Sequence, residues 1–289
     1  MPPLRKATWI VGLAIIVAAP AVSFSATLLS DTFSRGTVGS PVALAGSTPD
    51  VGSPWSALYQ YRVSPLRMVS VTGTTTTNGA LASFGNTDDG NLDTTSAFSP
   101  ASSGAITLSA TLGSSGASEW AFVGFSTTAN SQNDPYNGIG PFVLVRPGLF
   151  NGDVAEFFTG QIGIGAQSTF TSFPISGDTH SASIMYDPAT QTVTASLDGV
   201  PFGGATMPFS YTYGGTNPLA PAINGVVIGL RGDSMGDENP SNAVVSGSNP
   251  AFGTFDNVLV IQVPEPATFV LFALSALPWL RFWPRRGRS

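Results

Sequence analysis

Carboxylates are the most numerous groups in this 289-residue chain that could do chemistry, and there is a single histidine, His180. Residues 232–236, Gly-Asp-Ser-Met-Gly, have the G-x-S-x-G spacing of a nucleophile elbow and follow an expected strand. The rest of a serine hydrolase is missing: the Asp-Glu-Asn-Pro-Ser-Asn run of 237–242 cannot start a helix well, and His180 precedes the serine instead of following it. Glycoside hydrolysis needs two carboxylates about 5–9.5 Å apart. Glu119 and Glu156 each stand alone in their segments, so the chain is expected not to be an enzyme. Cysteine is absent, which excludes thiol catalysis, thiolate metal sites and a disulfide framework.

Two acidic stretches carry enough oxygen for a hard cation: Asp88, Asp89, Asn91 and Asp93, and then Asp233, Asp237 and Glu238. Ca²⁺ takes about six to eight oxygens at roughly 2.3–2.6 Å. Neither stretch has EF-hand spacing, so Ca²⁺ is the candidate cofactor and a solvated acidic turn is the simpler reading of each. Sugar binding uses aromatic faces, and two pairs stand at strand spacing on one face: Tyr59 with Tyr61, and Tyr211 with Tyr213. Trp55, Trp120 and Tyr136 read more simply as core, and His180 as a sheet-edge residue at the head of a strand.

The elements that must hold these residues are strands. Gly, Ser, Thr, Pro and Asn dominate residues 26–262, a composition that starves helices and suits short strands joined by turns. Alternation predicts strands at 106–112, 120–125, 142–145, 154–158, 181–186, 192–197, 226–230 and 255–261. Residues 187–191 join two of them as a hairpin, and Asp198-Gly199 closes the second strand. The expectation is all-β: two antiparallel sheets in a sandwich. Five arginines against sixteen carboxylates give residues 26–262 a net charge of −11. Such a body repels phosphate backbones, which excludes nucleic acid as a partner.

Both ends are apolar. Arg5 and Lys6 precede an apolar run and small residues, so residues 1–25 read as a secretory signal removed by signal peptidase. At the other end, residues 267–280 carry no charge and span about 21 Å as a helix, against about 30 Å of hydrocarbon. Snorkelling at Arg281 extends the reach. Arg281, Arg285, Arg286 and Arg288 form a stop signal that predicts a cytoplasmic C-terminus.

Pro264-Glu265-Pro266, a short apolar helix and a terminal arginine cluster together resemble the PEP-CTERM sorting signal of exported bacterial proteins. The resemblance implies processing by an exosortase-type membrane enzyme near Pro264, Glu265 and Pro266, with release to the cell surface or matrix. A second resemblance rests on Asp31-Thr32-Phe33-Ser34-Arg35, on Leu44-x-Gly46-x-Thr48-Pro49-Asp50, on Leu197-Asp198-Gly199 and on Phe255-Asp256-Asn257-Val258. These look like the concanavalin A-like lectin/glucanase jelly roll, which includes laminin-G-type modules. That family pairs its first and last strands. Its glucanases set alternating acids on one strand, a Glu-x-Asp-x-x-Glu type of arrangement that no segment here carries.

The expected organisation is therefore a signal peptide (1–25), a jelly-roll sandwich (26–262) and a sorting and membrane segment (263–289). The expected function is that of an exported, non-catalytic surface or matrix protein, structural or adhesive, with polysaccharide as its candidate ligand. The alternatives are a glycan-acting hydrolase or lyase on the same fold, and an inert structural unit.

Overall fold

The computed structural model describes residues 25–35, 42–61, 69–71, 79–83, 91–101, 104–115, 119–127, 139–146, 154–160, 170–177, 179–213, 223–232 and 252–263. All of these fall in one unit, Ser25–Glu265. The second unit, Met1–Phe24 with Pro266–Ser289, lies outside the described residues, as do the sorting motif and the terminal arginines. Among the described residues no helix is long and apolar enough to cross a membrane.

Among the described residues seventeen strands build two antiparallel sheets. The first half supplies β1 (Ala26–Asp31), β2 (Val42–Ala43), β3 (Ser56–Tyr61), β4 (Val69–Val71), β5 (Gly79–Ser83), β6 (Asn91–Ala97), β7 (Ala105–Ser115) and β8 (Glu119–Thr127). The second supplies β9 (Ile139–Arg146), β10 (Val154–Phe158), β11 (Phe170–Pro174), β12 (His180–Asp187), β13 (Thr192–Leu197), β14 (Val200–Pro201), β15 (Ser210–Thr212), β16 (Ile223–Gly232) and β17 (Phe252–Val263). The ten-stranded sheet runs β14-β13-β12-β7-β17-β5-β4-β2, with β1 also paired to β17 and β15 to β13. The seven-stranded sheet runs β11-β10-β9-β8-β16-β6-β3. Every strand read from alternation is present, and β1 and β17, the first and last, pair as the jelly-roll resemblance implies.

Period-two alternation explains the packing. In β13, Val193, Ala195 and Leu197 are buried while Thr192, Thr194 and Ser196 are only half-buried. In β12, Ala182, Ile184 and Tyr186 repeat the pattern. Their apolar sides meet Val123, Phe125, Val143, Phe157, Val226 and Ile228 from the other sheet in one core between the layers. The hairpin turn between β12 and β13 is made as its sequence suggests. The Asp187 carboxylate accepts from the Thr190 hydroxyl at 2.8 Å, the main reason its pKa lies below the usual carboxylate value, and from the Ala189 amide at 2.9 Å.

The first motif of the jelly-roll resemblance is a buried knot. Asp31, fully buried at the end of β1, accepts two bonds from the Arg35 guanidinium, at 2.9 and 2.7 Å. It also accepts from Trp55 Nε1 at 2.6 Å and from the Phe33 amide at 2.7 Å. Asp50 takes the amide and hydroxyl of Thr32, so the two halves of the motif close on each other. A buried carboxylate is tolerable here because several donors, one of them a bidentate arginine, replace its water.

Candidate functional site

The seven-stranded sheet has two unlike faces, and the one turned away from the main core is where chemistry-bearing residues gather. Register places Tyr59, Asp93, Gly229, Phe122, Leu144, Glu156 and Ser172 in one row across all seven strands. The next row contains Thr95, Val227, Gly124, Phe142 and Phe158. A third aligns Tyr61, Asn91, Arg231 and Trp120.

The middle of this face is apolar and covered. Phe122, Phe142, Leu144 and Val227 form a second buried cluster, with Phe158 half-buried at its border. Phe142 and Phe158 stack with centroids 4.7 Å apart and planes 12° apart, and Phe122 meets Phe142 edge-on at 5.6 Å. Gly124 makes the room: a Cβ there would come within 2.4 Å of the Phe142 Cβ. Glu156 stands beside this cluster on β10, half-buried between Leu144 and the exposed Ser172 of the edge strand β11. Phe122 and Phe142 are buried, so Phe158 is the ring of this cluster left part-exposed near Glu156, and a carboxylate beside it is suited to a ligand that is apolar on its faces and hydroxylated at its edges.

Tyr59, Tyr61, Asn91 and Asp93, expected as sugar or cation contacts, fall in these rows, but the phenylalanine cluster was not expected, although a signal was present. Phe142-Val143-Leu144-Val145 and Val226-Val227-Ile228 are unbroken apolar runs, which in a sandwich signify burial on both faces of the strand.

Several expected site residues are placed elsewhere. Tyr213 is a core residue, its hydroxyl donating to the Thr159 carbonyl, and burial pushes its pKa far up. Tyr211 packs against that core and meets Tyr213 edge-on. The pair is thus not a sugar platform, because β15 ends at Thr212 and strand alternation does not continue through Tyr213. Trp55 is core and serves Asp31.

His180 is buried, not at a sheet edge: β12 runs between β7 and β13. Its Nδ1 lies 2.7 Å from Asp198 Oδ2 and its Nε2 3.0 Å from the Gly177 carbonyl. Nδ1 thereby ties the β12 entry to the β13 exit, and Nε2 holds the turn that leads into β12.

Asn91 and Asp93 belong to β6, not to an acidic loop, because pairing with β16 and β3 extends the strand to Asn91. Asp88, Asp89, Asp233, Asp237 and Glu238, like Ser234 and Tyr136, lie outside the described residues. Among the described residues no three metal-ligating side chains converge.

No family model matches the chain, and no curated protein matches it. Solved structures do. A non-specific endo-β-1,3(4)-glucanase of family GH16, SCLam, aligns at TM-score 0.52 and 12% identity over 85% of this chain and 94% of its own. An endo-1,3-β-glucanase from Streptomyces sioyaensis aligns at 0.50 and 14% identity over 86% and 99%. The catalytic domain of an endo-1,3-β-glucanase (laminarinase) from Thermotoga petrophila aligns at 0.50 and 12% over 84% and 100%.

At such identities the likeness concerns the fold, which is the concanavalin A-like jelly roll of these glucanases. It also corrects the expectation that the chain is not an enzyme. That expectation rested on acids standing alone in sequence, and these scaffolds belong to glycan-cleaving proteins. A sandwich brings strands distant in sequence side by side, so the lack of an acid cluster on one strand excludes nothing.

Proposed function

We propose that this chain is an exported, glycan-acting protein that cleaves a β-glucan-type polysaccharide at the outer face of its seven-stranded sheet. The observation that carries the reading is Glu156. It is a half-buried carboxylate beside a phenylalanine cluster, on a fold shared with endo-1,3-β-glucanases over nearly their whole length. Hydrolysis delivers a proton to the leaving glycosidic oxygen and the hydroxyl of water to the anomeric carbon. Glu156 is the group assigned to that proton or to activation of that water.

Distance decides what Asp93 can do. It shares the row of Glu156 but lies four strand spacings away, about 19 Å, against the roughly 5–9.5 Å of a catalytic pair. Its position suits the end of a bound oligosaccharide, not a shared scissile bond. Export through the N-terminal signal, and processing at Pro264-Glu265-Pro266 by an exosortase-type enzyme, complete the proposal.

The test is release of reducing ends from soluble β-1,3- and mixed-linked glucans by the full chain and by Glu156→Gln. The variant is expected to lose about 10²–10⁴-fold in rate, the contribution typical of an acid–base group. Equal rates would remove Glu156 from the chemistry. No release from any glucan by the wild-type chain would remove hydrolysis.

A further inference from the structure

The opposite surface of the sandwich carries a second pattern that the cleavage reading does not use. On the outward side of the ten-stranded sheet, register aligns Ser196, Ser183 and Ser109 in one row and Thr194, Met185 and Thr107 in the next. The adjoining β17 adds Leu259 and Ile261 opposite Ser109 and Thr107. All of these side chains are half-buried or exposed.

Among the described residues none of the five hydroxyls in the two rows has a hydrogen-bond partner. No position in these rows is charged, and acids stand only at their ends: Asp187 two residues beyond Met185 on β12, and the exposed Asp198 two residues beyond Ser196 at the exit of β13, while Asp256 is buried. In a body of net charge −11, five neighbouring hydroxyls with no charge among them form a distinct surface. Each hydroxyl can donate and accept. They repeat about every 4.8 Å across strands and 6.6 Å along them.

Resting on the glycan reading above, we propose that this face is a second polysaccharide-contact surface, which holds an extended neutral glucan while cleavage proceeds at the other sheet. Charge selects the occupant: an uncharged polymer meets neither repulsion nor a desolvated ion here, whereas nucleic acid and anionic glycans are repelled by the body around it. Area argues against a second copy of the chain. The two hydroxyl rows run over three strand spacings, about 14 Å, and are about 7 Å apart, far below the roughly 800 Å² per partner of a stable interface. Weak contacts repeated along one polymer give retention through multivalency.

The experiment measures retention of the full chain on insoluble β-1,3-glucan particles, with cleavage of soluble glucan assayed in parallel. The variants are Ser183→Ala with Thr194→Val, which removes two hydroxyls, and Ser183→Glu, which places a charge at the centre. Both are checked for an unchanged melting temperature. Retention is expected to fall about tenfold or more for each, since two hydrogen bonds are lost or an ion must be desolvated. Soluble cleavage is expected to be unchanged, and Glu156→Gln is expected to be retained like the wild type. Wild-type retention in both face variants would overturn the inference, and so would a wild-type chain that does not bind the particles. A doubled solution mass that the face variants abolish would assign the face to self-association instead. If Glu156→Gln cleaves normally while the face variants lose retention, the assignment of Glu156 falls and this surface stands.

Discussion

Buried carboxylates divide sharply by what surrounds them. Asp31 faces the Arg35 guanidinium, Trp55 Nε1 and the Phe33 amide. Asp256 on β17 is also buried, but burial is the largest influence on it and raises its pKa, and the Asp31 charge raises it further against one opposing bond from the Asn257 amide. A carboxyl whose folded pKa is raised binds its proton more tightly in the native state. It contributes stability at low pH that is lost as pH climbs from the unfolded value, near 3.8, through the folded one. Asp256→Asn keeps the acceptor for the Asn257 amide and removes the charge. It is expected to raise the urea midpoint at pH 7, to leave it unchanged near pH 3, and to flatten the decline between. A lower midpoint at pH 7 would show that the Asp256 charge has a stabilising partner.

At the scale of elements, the seven-stranded sheet depends on a close approach between β8 and β9. Gly124 lies opposite Phe142, and a methyl there would meet the Phe142 Cβ at 2.4 Å and the Pro141 carbonyl at 2.9 Å. Neither is the far end of a flexible side chain, so the strands must part. Gly124→Ala is expected to cost about 1–3 kcal/mol by chemical denaturation, as overpacking does. It is also expected to weaken glucan cleavage, because Phe142 stacks on Phe158 two residues from Glu156. Full stability in the variant would show that β9 can shift freely.

The same sheet shows how far local pattern reaches. Residues 154–158 and 192–197 read as strands from alternation alone and are β10 and β13 with those bounds. Tyr211 and Tyr213 also looked like one strand face, but the strand ends between them and Tyr213 turns inward to the Thr159 carbonyl. Alternation identifies which side chains share a face only while a strand persists. It cannot say where pairing with a distant strand stops.

For the molecule as a whole, the proposed address lies in the two apolar ends and the work in the body between them. Replacing Pro264, Glu265 and Pro266 by alanine is expected to leave the chain uncut in the membrane fraction, read by fractionation and by the mass of the exported product. Normal processing of that variant would remove the sorting assignment while leaving the glycan assays untouched. The two sheets turn sides of opposite character away from the main core: a covered phenylalanine cluster with Glu156 at its border on one, and uncharged hydroxyls on the other. This division gives the two glycan proposals separate variants and separate readouts.

The sequence by itself determined the all-β character, the main strands, the hairpin over 187–191 and the acidity of the body, because composition, period-two alternation and turn residues are local properties. It could not decide that Asp31, Arg35 and Trp55 share one knot, that His180 meets Asp198, or that Glu156 stands among phenylalanines from other strands. Those meetings are set by register between strands far apart in the chain. Register is fixed by how two apolar faces pack as a whole, a quantity that no single segment contains.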